Sequence, residues 1–258
     1  MTEYIYFSRD VSWLYFNGRV LQEAANPAVP LAERILFLSI FSSNLDEFFR
    51  VRMPVLMALD TIEDPTSDKQ VAGHEPNSFN KALDLIYSQQ QQYGNILLTG
   101  IIPLLQEHGT TFIYNKPIPP EIEQQVNDYF FSTLAAYIEV VDVEDKKDFF
   151  PGNNKLYMVV LLEKEGRQKT LIVNVPGDAV ARFYVIQQQG KKYILVIDDI
   201  IKNCLPFIFQ HGSIKGAYNI KITRDAELDL QDEYAGDIAE KIETQITKRD
   251  MGLATRLL

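Results

Sequence analysis

The chain has 258 residues, 46% hydrophobic and 23% charged, which suits an ordinary globular protein with room for two modest domains and excludes disordered, collagenous and coiled-coil classes. Asp and Glu number 35 against 25 Lys and Arg; a formal charge of -10 argues against nucleic-acid binding, and any polyanion must meet a local basic patch. The apolar run Ile35 to Ile40 is far short of a membrane span, Met1-Thr2-Glu3-Tyr4 is no signal peptide, and Cys204, the single cysteine, allows no intrachain disulfide, so a cytoplasmic protein is expected, with peripheral membrane association left open.

Residues 1–108 read as an all-helical domain. Trp13, Phe16, Val20 and Ala24 recur at helical steps, and Asn26-Pro27 ends that helix. Pro30 opens a second, running from Leu31 towards Leu59, with Pro54 set to kink or break it. Asp60 to Asn77 is rich in turn formers and predicts a surface loop. A third helix follows from Ser78 to about His108, interrupted near Gly94 and Pro103. Gln89 to Gln92 inside it form either a recognition surface or, more simply, a solvated face.

After Gly109 the texture becomes α+β, and residues 109–258 read as a head domain with a mainly antiparallel sheet. Thr110 to Tyr114 is β-prone, and Pro119-Pro120 leads into a helix carrying Ile122, Val126, Phe130 and Leu134. Leu156 to Leu162, Thr170 to Val175, Phe183 to Ile186 and Tyr193 to Ile197 read as strands of two hairpins, turning at Glu163 to Arg167 and Gln187 to Lys192. A short helix from Asp198, a strand from Ala217 to Ile222, a helix from Glu233 to Asp250 and the start of a strand at Ala254 complete the reading, which ends as a domain truncated at its C-terminus would.

Chemical signatures are sparse. No Gly-x-x-x-x-Gly-Lys-Ser/Thr, Gly-x-Gly-x-x-Gly or Gly-x-Ser-x-Gly occurs, and His74, His108 and His211 stand apart from one another. Asp225, Glu227 and Asp229 alternate as a cation site could, yet acidic residues ahead of a helix are explained by its dipole, so no metal ligand and no catalytic residue is assigned. The basic pairs Lys146-Lys147, Lys191-Lys192 and Lys248-Arg249 read as solvated faces.

Ser42-Ser43-Asn44-Leu45-Asp46-Glu47-Phe48 is more informative. At helical spacing Asn44 projects among Phe37, Ile40 and Phe48, and an amide set in an apolar band needs a partner. Its acceptor and donor suit the N6 and N7 edge of adenine, while the simpler alternative is a bond to the backbone of a neighbouring helix. Arg50 and Arg52 face either phosphate or the nearby Asp46 and Glu47, and Trp13 is either a stacking platform or a core residue.

Four stretches together carry a resemblance: Ser12-Trp13-Leu14-x-Phe16-Asn17-x-Arg19-Val20-Leu21-Gln22-Glu23-Ala24, Pro30-Leu31-x-Glu33-Arg34, Phe41-Ser42-Ser43-Asn44-Leu45-Asp46-Glu47-Phe48, and Ile222-Thr223-Arg224-Asp225-Ala226-Glu227-Leu228-Asp229-Leu230. They resemble the N-terminal and head regions of bacterial polyphosphate kinase of the phosphohistidine type. The resemblance implies a parent enzyme, a phosphoprotein, that reversibly moves the terminal phosphate of ATP onto inorganic polyphosphate with Mg2+. It implies that the phosphorylated histidine and the Mg2+ ligands lie in C-terminal domains outside this chain, that Asn44 is the family nucleotide-binding position within it, and that the head domain assembles a homodimer. A fragment of this kind is expected to be inactive alone. The alternative is a non-catalytic interaction or dimerisation module of the same fold, with Asn44 purely structural.

Overall fold

The computed structural model describes residues 7–62, 77–146, 149–225 and 253–258. Most of the expected loop from Asp60 to Asn77, the expected helix from Glu233 to Asp250, and His74, Lys147, Glu227, Asp229, Lys248 and Arg249 lie outside them. The chain divides into two units, one of Met1–Leu104 with Thr223–Arg256, the other of Leu105–Ile222 with Leu257–Leu258. As expected, a helical N-terminal region is followed by an α+β region whose larger sheet is antiparallel.

The first unit is built on α1 (Arg9–Ala25), α2 (Leu31–Val51), α3 (Met53–Ile62) and α4 (Ser78–Asn95). Helix α1 starts at Ser8, whose hydroxyl accepts from the Val11 N–H, and stops before Asn26, held extended by Pro27. Its buried face is Leu14, Asn17, Leu21 and Ala24, not the face through Trp13 and Phe16; Phe16 is 58% exposed. The inward stripe is turned by one residue, about 100°. Pro30 is the N-cap of α2 rather than its first residue. The expected break falls at Arg52, where Pro54 has no N–H to give the Arg50 carbonyl; Arg52 itself stays in the helical region at φ -97°, ψ -35°. Leu21, Leu38, Phe41, Leu45, Phe48, Met53, Leu56, Ala82 and Ile86 form the core of this unit.

The third expected helix is continuous in path but changes winding. Between α4 and α5 (Ile102–Glu107) lies a π-helical segment, Ile96–Ile101, in which the Ile102 N–H reaches back five residues to Leu97 O. Pro103 leaves the Thr99 carbonyl without its usual donor four residues on, so the interruption read from Gly94 and Pro103 takes this form. Gln89 is not solvated: it is buried and its Nε2 donates to Leu14 O at 2.8 Å.

The second unit carries β1 (Thr110–Ile113), α6 (Pro120–Tyr129), β2 (Val140–Asp142), β3 (Leu156–Lys164), β4 (Arg167–Asn174), β5 (Phe183–Gln188), β6 (Lys191–Val196), α7 (Ile197–Ile208) and most of β7 (Ser213–Arg224). With β8 (Ala254–Leu257) the larger sheet runs β2-β4-β3-β7-β8; the smaller runs β1-β6-β5, with β1 parallel to β6. Both expected hairpins form, and each turns on a pair of left-handed residues, Glu165-Gly166 and Gln189-Gly190, the geometry that matches strand twist. Alternate residues Met158, Val160 and Leu162 of β3 and Leu171 and Val173 of β4 face a core shared with Ile122, Val126 and Phe130 and with Ile197, Ile200, Ile201 and Cys204 of α7.

Candidate functional site

Asn44 lies on the fourth turn of α2, half-buried, with Leu45 and Phe41 beside it in the core and Ile40 exposed. Its partner is on the neighbouring helix. Asn44 Nδ2 donates to Asn17 Oδ1 at 3.0 Å, and Asn17 Nδ2 donates to the Phe41 carbonyl at 3.3 Å. Among the described residues no group donates to Asn44 Oδ1, so the amide keeps an acceptor and one N–H. That pair complements a base edge that offers an amino group beside a ring nitrogen. The expectation that Asn44 needs a partner is met by a side chain rather than by backbone.

Asn17, a motif residue to which the sequence assigns no role, is the residue that partners Asn44. The signal was present: it falls in line with Leu14, Leu21 and Ala24, a polar side chain in an apolar stripe, which is the argument applied to Asn44.

One turn beyond Asn44, Phe48 stacks on Trp13 with ring centroids 5.3 Å apart and planes at 19°. These rings, with Arg9, Asp10, Glu47, Val51 and Arg52, line a cleft of about 240 Å3. Trp13 is thus half-buried against the core and half in a cleft wall. The two arginines are both held by carboxylates. Arg50 grips Glu47 through Nε (2.9 Å) and Nη2 (2.8 Å), which raises its guanidinium above the usual range. Arg52 grips Asp10 through Nε (2.7 Å) and Nη2 (2.9 Å). Asp46 receives Arg256 Nη1 at 2.7 Å, and that guanidinium lies 4.6 Å from the centroid of the Phe49 ring; burial lowers it from its ordinary range and Asp46 opposes the shift.

The α+β unit has a cleft of its own, about 270 Å3, lined by Asn115, Lys116, Pro117, Ile118, Asp199, Lys202 and Asn203. Asp199 Oδ2 accepts from the Asn115 N–H at 2.7 Å, and burial pushes its carboxyl above the usual carboxylate range. Among the described residues no three His, Cys, Asp or Glu side chains gather to hold a metal ion, and no helix is long and apolar enough to cross a membrane. His108 and His211 are exposed and separate.

Comparison with known proteins shows the family and agrees with the fold. Residues 6–113 match the polyphosphate kinase N-terminal domain and residues 121–258 the polyphosphate kinase middle domain. The polyphosphate kinase of Vibrio cholerae is 32% identical over 265 residues, covering 98% of this chain and 37% of that protein. That of Bacillus cereus is 30% identical over 260 residues, with 98% and 37% covered. A crystal structure of polyphosphate kinase from Porphyromonas gingivalis superposes with a TM-score of 0.77 at 28% identity, covering 97% of this chain and 38% of that one. The chain belongs to the polyphosphate kinase family, and it spans a little over a third of the length of the curated relatives it matches.

Proposed function

We propose that this chain is the nucleotide-contacting and dimer-assembling part of an enzyme that reversibly transfers the terminal phosphate of ATP to inorganic polyphosphate. The observation that carries the reading is Asn44, whose carbonyl oxygen and one N–H are left over after its bond to Asn17. They stand on a helix one turn from the Trp13–Phe48 stack. Phosphoryl transfer also needs neutralised phosphates and, through a phosphohistidine, an activated nucleophile. The described residues gather neither a metal-ligand set nor a histidine with a partner. By the family resemblance, the phosphorylated histidine and the Mg2+ ligands lie outside this chain, which on its own is expected to bind without turnover. Dimer assembly is ascribed to the α+β unit, where Phe131 and Phe207 meet edge to face at 5.4 Å while exposing about half their surface each.

Calorimetric titration of the 258-residue chain with ATP, with GTP and Asn44→Ala as controls, tests the base contact. Saturable, adenine-selective binding that weakens about tenfold in the variant is expected from losing a two-bond contact. Equal binding by both proteins overturns it and leaves the dimerisation module as the function. Incubation with ATP labelled at its terminal phosphate should give no covalent label; a labelled protein overturns the inactivity of the isolated chain.

A further inference from the structure

We infer that Asn17 is a positioning residue that fixes which end of the Asn44 amide faces a nucleotide base, and so sets a preference for adenine over guanine; the inference rests on the proposed base contact of Asn44. Three groups in a row determine the polarity. The Phe41 main-chain oxygen can only accept, so the Asn17 atom 3.3 Å from it is the donor Nδ2. Asn17 then turns Oδ1, which also can only accept, towards Asn44, and the Asn44 atom at 3.0 Å is its donor Nδ2. Turning either amide over would set oxygen against oxygen. The direction is thus imposed by a backbone atom with one chemical option, not chosen between two look-alike ends.

Burial makes the arrangement binding on Asn44. Asn17 is fully buried in line with Leu14, Leu21 and Ala24, so bulk water is not at hand to replace a lost partner. Reversing Asn44 leaves Asn17 Oδ1 unpaired in the core, at the full desolvation cost of that oxygen. The oxygen left to Asn44 therefore faces outward as an acceptor. Adenine presents an amino donor at its sixth position, whereas guanine presents an oxygen there, which the outward oxygen repels. An amide free to turn over would offer its NH2 to guanine as readily as its oxygen to adenine.

The test compares ATP with GTP on the 258-residue chain carrying Asn17→Leu, Asn17→Asp or Asn44→Ala. The wild type is expected to prefer ATP by about tenfold. Asn17→Leu, which keeps the branching at Cγ but makes neither bond, should bring the two nucleotides to within about twofold. Asn17→Asp, assayed at about pH 5 where burial keeps its carboxyl neutral, can donate to Phe41 and accept from Asn44, and should restore the preference. A second readout needs no nucleotide: the side-chain NH2 of Asn44, followed by 15N NMR, should exchange slowly in the wild type and faster in Asn17→Leu. If Asn17→Leu keeps the wild-type ATP preference, or leaves Asn44 exchange unchanged, the positioning role is overturned while the base contact stands. If the wild type itself shows no ATP preference, the base contact fails and the preference ascribed to Asn17 fails with it.

Discussion

A β-carbon at Gly18 would stand 2.8 Å from Gln89 Nε2, the atom that donates to Leu14 O across the α1–α4 contact. Gly18→Ala gains helix propensity of about 1 kcal/mol but has to displace a buried, hydrogen-bonded amide, and overpacking costs about 1–3 kcal/mol before the lost bond is added. A net destabilisation of about 1–2 kcal/mol is expected, seen as a lower urea midpoint with unchanged slope. Cys204 provides a second residue-scale expectation. Burial pushes its thiol up to about 11, so at pH 8 only about one molecule in a thousand carries the thiolate. Iodoacetamide should leave the native chain unmodified at that pH and alkylate it promptly in urea. Asn44 was legible in the sequence because its neighbours at helical steps are apolar. Asn17 and Gln89 are equally legible by that rule, since each falls in an apolar stripe, but the aromatic Trp13 and Phe16 point to another face of α1, and the run Gln89 to Gln92 looks like a solvated face of α4. Aromatic residues weigh heavily in a hydrophobic count, yet at the edge of a helix face they keep one side in solvent.

At the scale of elements, the hairpin turns were readable because charged and polar residues separate β-branched runs, and Glu165-Gly166 completes the β3–β4 turn with Gly166 at φ +74°. Gly166→Ala should cost about 1 kcal/mol in thermal unfolding, since only glycine adopts that conformation freely. Strand β2 was not read: three residues, Val140 to Asp142, are too few to show alternation, and their place is set by pairing with β4. The change to π winding at Ile96–Ile101 was readable as an interruption but not in kind, because a proline says which donor is missing and not how the chain redistributes the rest. Two aspartates in the α+β unit give opposite dependences on pH. The Lys169 ammonium and the Glu144 N–H hold Asp142 below the usual carboxylate range. Its contribution to stability is present above the unfolded pKa and lost as pH falls through the lowered native value. Asp199 is raised, chiefly by burial, so its charged form is a liability at neutral pH that disappears as pH falls through the raised native value. Asp142→Asn should lower the unfolding temperature at pH 7 and Asp199→Asn should raise it, both differences vanishing in acid.

For the whole molecule, the formal charge of -10 and the carboxylates that hold Arg50, Arg52 and Arg256 weaken the attraction for a polyanion, and Arg9, 78% exposed, is the more open cation at the Trp13 cleft. Polyphosphate should therefore not retard this chain on a native gel at physiological ionic strength, whereas ATP, recognised through its base, should bind. Sedimentation velocity gives the complementary measurement: the proposed self-association through the α+β unit should yield twice the 29.6 kDa chain mass, and Phe131→Ser with Phe207→Ser should shift it to the single mass.

The bridge from Arg256 to Asp46 joins residues 210 positions apart, while Asn44 and Asn17 are separated by 27. Closing the longer loop costs about 2 kcal/mol more in chain entropy, so the amide relay between α1 and α2 is expected to form earlier in folding than the arginine clamp. During synthesis the helices that hold Asn44 leave the ribosome well before Arg256 exists. Asp46→Asn should accordingly speed unfolding and spare the refolding rate, whereas Asn17→Leu should slow refolding itself.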